Sequence, residues 1–396
     1  MERVAGSIFG SGKITVNQCK FKPRPIQLRF FYTIFVYPRE LYLLTSAYTT
    51  FMQVKPNLLL TLLLSIVLLA GCKKHDSEPL GENMDIYIAG TVDKKPTYWK
   101  NTTLTVLPGG LNAEGFATGI AISGKDVYVS GTVPSGTPYP QSNVGVYWKN
   151  GVLNNLGGSA DGSATTGIAV LGNDVYVIGF AFNGNTTEAC YWKNGVKTVL
   201  GTSPVFSRAT GIAIIGSDVY ISGTGNSLAY WKNGVKVSLS VGALGGTAHD
   251  IAVNDLGDIV IGGTETYQAA TTTLRSRAVY WKNGALMQIT SNDAYSTSIK
   301  ALTLQGNEVY TVGFDLFTPT NFRALYFKNI NLITTTSGVT TAVANDIGVK
   351  GTDVYTVGST GSFSAGTSKA VMWKNGEAVQ LSQSFSEANA IALNIY

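Results

Sequence analysis

Few side chains in this chain of 396 residues are placed to do chemistry. From residue 84 onward there is one histidine, His249, followed directly by Asp250. Lys300 and Asp346 fall at matching places in later copies of a repeated phrase, with Arg208 and Glu387 close by. A His–Asp–Lys–Asp set can hold a polar ligand or move protons. Two carboxylates about 5–10 Å apart are what glycoside cleavage uses, and Asp250 and Asp346 are the available pair. The competing role for these residues is structural, as polar caps on strand starts. His249 and Asp250, as neighbours, would also point to opposite sides of a regular strand. The chain carries no G-x-S-x-G turn and no conventionally spaced metal-ligand cluster, so the sequence calls for no cofactor and no metal.

The elements that must position these residues are set by a repeat. Its clearest copy reads "ATGIAISGKDVYVSGT…VGVYWKNGVLNNLG". The "DVYVSG" element occurs seven times, from Asp85, Asp126, Asp174, Asp218, Asp258, Glu308 and Asp353, at a mean spacing of about 45 residues. The "YWKNG" element also occurs seven times, with its aromatic at Trp99, Trp148, Trp192, Trp231, Trp281, Phe327 and Trp373. Each unit holds four short strand-like segments joined by G-x-D and K-N-G turns, which are tight-hairpin signals. Four antiparallel strands per unit, repeated radially, make the blade of a β-propeller. The first unit lacks its "GIAI" strand, and the chain ends on "EANAIALNIY", which supplies it. The fold predicted is therefore all-β: one seven-bladed propeller over 84–396, monomeric, closed by the C-terminal strand pairing with the first blade and leaving no open edge.

The order Ala-x-x-Ile, V-x-x-G, A-x-Y-W-x-x-G, L-G resembles the bacterial extracellular repeats called the HAF family, over nearly all of residues 84–396. That resemblance implies export and repetition, and no settled activity. The G-H…W-D pairing and the sialidase S-x-D-x-G-x-T-W box are absent.

Several columns read as structure. Antiparallel pairing predicts one contact per blade between the seven acids and Lys100, Lys149, Lys193, Lys232, Lys282, Lys328 and Lys374, on one rim. The tryptophan column predicts packing between blades. The glycines ending the second strand, Gly90 to Gly358, predict a bulge or a close approach. Segments that differ in every unit, "PSGTPYPQSN", "AFNGNTTE", "ETYQAATTTLRSR" and "DLFTPTNFR", emerge on the opposite face as variable loops, where binding faces are made. A further column, Thr118, Thr166, Thr210, His249, Lys300, Asn345 and Asn389, is expected at the mouth of the central channel. Arg208, His249, Asp250, Lys300, Asp346 and Glu387 are accordingly the candidate ligand-binding residues.

Upstream, "MQVKPNLLLTLLLSIVLLAGC" has the three-part layout of a secretory signal. Its closing Leu69-Ala70-Gly71-Cys72 matches the bacterial lipoprotein box, with Cys72 as the lipidated residue. The apolar run from Leu58 to Ala70 falls short of the roughly 20 residues of a membrane-spanning helix. Residues 52–71 thus read as a lipoprotein signal peptide and 72–83 as a flexible tether reaching about 40 Å at most. Residues 1–51 read as an upstream over-extension with no fold, in which "FGSGKIT" misses the phosphate-loop pattern because Ile14 follows Lys13. The whole chain carries 29 basic and 24 acidic residues, but the part from Cys72 on has 21 and 22. That near-neutral balance gives no clustered basic face, so no nucleic acid is expected. Cys190 has no partner once Cys72 is lipidated and reads as a small core residue.

Together these features predict a lipid-anchored cell-envelope propeller at an outer membrane, periplasmic or surface-facing, that binds a glycan or protein ligand or serves as a scaffold. The alternative is an extracellular glycan-active hydrolase or lyase with acids at the channel mouth.

Overall fold

The computed structural model describes residues 84–396, apart from 136–142, 157–161, 204–205, 226, 271–272, 290–295, 319–320, 336–340 and 363–364, together with a short hairpin at 35–37 and 40–42. The chain divides into two compact units, 1–79 and 80–396. In the first, where the sequence predicts no fold, Phe35–Tyr37 pairs with Glu40–Tyr42, residues of high strand propensity. The signal-type segment, the tether and Cys72 lie outside the described residues.

The second unit is seven four-stranded antiparallel sheets. Blades 2 to 7 start with the inner strands Phe116–Ser123, Ser163–Leu171, Arg208–Ile215, Gly246–Val253, Ser296–Gln305 and Ala342–Lys350. Blade 1 takes its inner strand, Ser386–Ile395, from the C-terminus and its other three from Met84–Val92, Lys95–Lys100 and Thr103–Val106. The closing register pairs Ile88 with Ile391 and Tyr87 with Ala392. Each inner strand touches the inner strands on either side, so the seven surround one axis.

Seven apolar cores lie between successive blades, each centred on the aromatic of one "YWKNG" element. Trp99 of blade 1 packs with Tyr355, Val357 and Met372 of blade 7, and Trp148 of blade 2 with Tyr87, Ala89 and Leu107 of blade 1. Phe327 fills the same place against Val260, Ala278 and Tyr280. The six tryptophans are at most 5% exposed. Burying an indole contributes about 4–6 kcal/mol as an upper value, which is why the column tolerates little besides aromatics. Cys190 lies wholly in the core between blades 2 and 3, and burial pushes its thiol up to about 12.

Every inner strand carries a one-residue bulge. The register skips one residue in each, at Thr118, Thr166, Thr210, His249, Lys300, Asn345 and Asn389. The bulge turns a carbonyl of the inner strand toward the second strand. A Cβ at Gly90, Gly131, Gly179, Gly223, Gly263, Gly313 or Gly358 would meet that oxygen at 1.9–2.3 Å. Glycine in this column is thus a matter of space.

Candidate functional site

The rim of tight turns is electrostatically closed. In each blade the asparagine after the turn lysine has a positive φ of 47–56°, and in every blade but the sixth the next residue, glycine or Thr102, is positive too, as a type I′ hairpin turn requires. Its side-chain oxygen accepts from a second-strand N–H, and its amide donates to the acid that opens that strand, as Asn194 does with Val175 and Asp174, both at 2.8 Å. The paired lysine reaches the same acid: Lys193 Nζ is 2.7 Å from Asp174 and lies over the Tyr176 ring at 5.2 Å. The Lys193 and Asn194 hydrogen bonds hold the Asp174 carboxyl below its usual range. All seven predicted acid–lysine pairs form, six at 2.7–3.0 Å and Lys328–Glu308 at 3.6 Å. These acids are committed to their own hairpins. Among the described residues no three His, Cys, Asp or Glu side chains come together as a metal ion would need.

The opposite face differs from its prediction. Much of the variable sequence there is paired strand. In blade 5 Ile259–Ala270 and Thr273–Lys282 run together to Ala270↔Thr273, and in blade 6 Glu308–Thr318 pairs with Asn321–Lys328 as far as Thr318↔Asn321. Residues of strand propensity, Thr266 and Tyr267 in blade 5 and Phe314 and Phe322 in blade 6, carry the ladder beyond the repeat. The central residues of "PSGTPYPQSN" lie outside the described residues. Three nearly buried acids sit in these hairpins and were not singled out in the sequence: Glu188 with Lys197 at 2.8 Å, Glu265 with Arg277 at 2.7 Å and Asp315 with Arg323 at 2.5 Å. An acid facing a base across a hairpin, as Glu265↔Arg277 and Asp315↔Arg323 do, is the signal that could have revealed two of them.

The remaining candidates line the inner strands. The column expected at the channel mouth is the bulge itself, a few residues inside each strand rather than at its start. In four blades the bulge residue ties its strand to the next blade. Thr118 hydrogen-bonds Thr165 at 2.8 Å, Thr166 donates to Ala209 O at 2.8 Å, and Asn345 and Asn389 donate to Ala388 O and Ala117 O at 2.9 Å. Blades 4 to 6 depart from this. Thr210 bonds Ser222 in its own blade, His249 Nε2 lies 2.9 Å from Thr247 Oγ1, and Lys300 faces the Phe314 ring at 5.5 Å. Arg208, two residues before its bulge, lies over Phe206 at 5.4 Å.

These three basic groups lie on the adjoining inner strands of blades 4, 5 and 6. Burial pushes His249 down to about 3, and the charges of Lys300 and Arg208 add to the effect. Burial and the Arg208 charge also lower Lys300.

A solved structure of a computationally designed protein, Ika8, matches 74% of this chain and 78% of its own at 16% identity and a TM-score of 0.40. The acylaminoacyl peptidase of Pyrococcus horikoshii matches 76% of this chain at 12% identity and a TM-score of 0.45, and this chain spans about half (51%) of that protein. The β-propeller domain of the Trilobed protease from Pyrococcus furiosus matches 68% of this chain and 96% of its own at 11% identity and a TM-score of 0.37. At these identities the likeness is one of fold, and no activity comes with it. No protein-family model and no curated protein matches the chain.

The two aspartates follow bulges in blades 5 and 7. Asp250 accepts from Ile251 N (2.8 Å) on one oxygen and from Leu302 N of blade 6 (2.9 Å) on the other. Asp346 repeats this with Ile347 N and with Ile391 N of blade 1, both at 2.7 Å. Burial, with repulsion from Asp346, raises Asp250 to about 8, and burial raises Asp346 to about 7. Glu387, opposite Thr91 in blade 1, is likewise raised by burial. The structure thus puts Arg208, His249 and Lys300 on three adjoining inner strands, assigns Asp250 and Asp346 to the joints between blades, and leaves Glu387 three blades from Arg208.

Proposed function

We propose that this chain is a lipid-anchored cell-envelope propeller that binds a ligand at its channel mouth and on the neighbouring face of extended hairpins, without chemistry. The observation that carries this is the use of Asp250 and Asp346. Each has both carboxylate oxygens bonded to backbone N–H groups. A general acid or base needs an oxygen free for its substrate. Rigid blades carrying hairpins that differ from unit to unit suit recognition instead. The L-A-G-C box supports an anchor through Cys72, and the short tether would keep the domain near the membrane. The HAF-like repeat order agrees with an exported protein.

The experiment is to probe glycan and envelope-protein arrays with the labelled full chain, and to assay the captured glycans for cleavage. The expected outcome is retained ligand without new reducing ends, with affinity unchanged in Asp250→Asn. Turnover that disappears in Asp250→Asn and Asp346→Asn would replace this proposal with the glycan-cleaving alternative.

A further inference from the structure

Two cations on the inner strands of blades 4 and 6, Arg208 and Lys300, combine half-burial, an aromatic face and no carboxylate partner. Among the described residues, Lys197, Arg277, Arg323 and all seven turn lysines sit against a carboxylate, whereas Arg208 and Lys300 form no ion pair. Both are half-buried, and the inner strand that carries His249 lies between theirs and touches both. Two partly desolvated like charges without a counter-charge cost stability, and such arrangements persist where something outside the fold answers them. The blades also give up an inter-blade tie to make the arrangement. Where Thr166 bonds Ala209 O and Asn389 bonds Ala117 O, the equivalent His249 and Lys300 bond nothing in the next blade among the described residues. The aromatic faces of Phe206 and Phe314 lie along the two cations, restricting their orientation without neutralising them. Asp250, which follows His249 in the chain, is turned to Ile251 N and Leu302 N and forms no ion pair.

We propose that Arg208, His249 and Lys300 form an oxyanion-binding site at the channel mouth, for a carboxylate, phosphate or sulfate group carried by the ligand. The guanidinium gives a planar, two-pronged donor for such a group, and the ammonium gives a point charge from the side two blades away. His249 stands between them in blade 5. The inference rests on the proposal that this mouth binds a ligand, and adds the charge that the ligand must bring.

The test titrates the purified full chain with sodium phosphate, sodium sulfate and glucuronate. Binding is followed by calorimetry and by the imidazole resonance of His249, assigned with His249→Gln. Saturable binding of at least one anion that moves this resonance is expected, weakened tenfold or more in Arg208→Gln and in Lys300→Gln. Both variants should melt no lower than the parent in anion-free buffer, because each removes an uncompensated charge. A response to glucuronate alone marks an acidic sugar, and a response to phosphate or sulfate marks a fully charged oxyanion. No saturable binding, binding unchanged in both variants, or a lower melting point for both without anion would overturn the proposal. A neutral glycan captured on the arrays while all three anions fail would overturn this inference and leave the binding role standing.

Discussion

At the scale of single residues, the candidates separate by what their polar atoms already touch. Asp250 and Asp346 are cross-links between blades whose partners lie 52 and 45 residues away in the chain. Burial sets them in a place where the charged form is disfavoured, despite two N–H donors each. Their pH effect then has a definite sign. With folded pKa values of about 8 and 7, above the ordinary carboxylate value of 3.8, their contribution to stability is complete below about pH 4. It is lost progressively from about pH 4, where the unfolded chain ionises, and is gone once pH has risen through 7 and 8, where the folded carboxyls ionise too. The melting temperature should therefore fall between pH 5 and pH 9. The Asp250→Asn, Asp346→Asn double variant, which resembles the protonated form, should fall less steeply. Parallel melting curves for parent and variant across that range would show that the two carboxylates ionise in the fold at their ordinary pKa.

At the scale of the element, the hairpin turn and the bulge divide the work. The asparagine of each K-N-G turn supplies a left-handed backbone, an acceptor for a strand N–H and a donor to the acid. The lysine beside it supplies an ion pair that faces solvent, and such pairs contribute little. Asn194→Ala should accordingly lower the melting point more than Lys193→Ala, by the loss of about 1 kcal/mol or more for its hydrogen bonds. Equal losses measured by thermal unfolding would contradict that ranking. The repeat, the acid–lysine pairs and the aromatic column were legible because each residue type recurs at one place in every unit. The bulge was legible only through its partner, the second-strand glycine, because Thr, His, Lys and Asn all occupy the bulge itself. The joints made by Asp250 and Asp346 were not legible. They depend on which strands become neighbours around the axis, and occur in only two of seven blades. The long hairpins of blades 5 and 6 read as loops because their residues break the repeat, although their alternation is that of strands.

At the scale of the whole molecule, one strand decides whether the ring exists. Blade 1 is three strands from the start of the repeats and one from the end of the chain. Ile391 of that last strand is part of the core shared with Trp99, Tyr355 and Met372, and its N–H is one of the two held by Asp346. The ten residues of the strand therefore join the ladder of blade 1, the apolar core against blade 7 and the carboxylate cross-link at once. Asn389 adds a fourth tie, donating to Ala117 O of blade 2. Removing residues 386–396 would expose the edge of Met84–Val92, a buried strand rich in apolar residues, and such an edge is a template for pairing with another chain. Truncation after Phe385 should thus lower stability more than any single substitution discussed above, and should give species whose size grows with concentration more steeply than the parent's. Light scattering coupled to gel filtration would read the second effect. A truncated chain that keeps the parent's size and melts within a few degrees of it would mean that six complete blades and an open seventh hold themselves together, and that the interlock at the ends of the chain is not what makes the propeller cooperative.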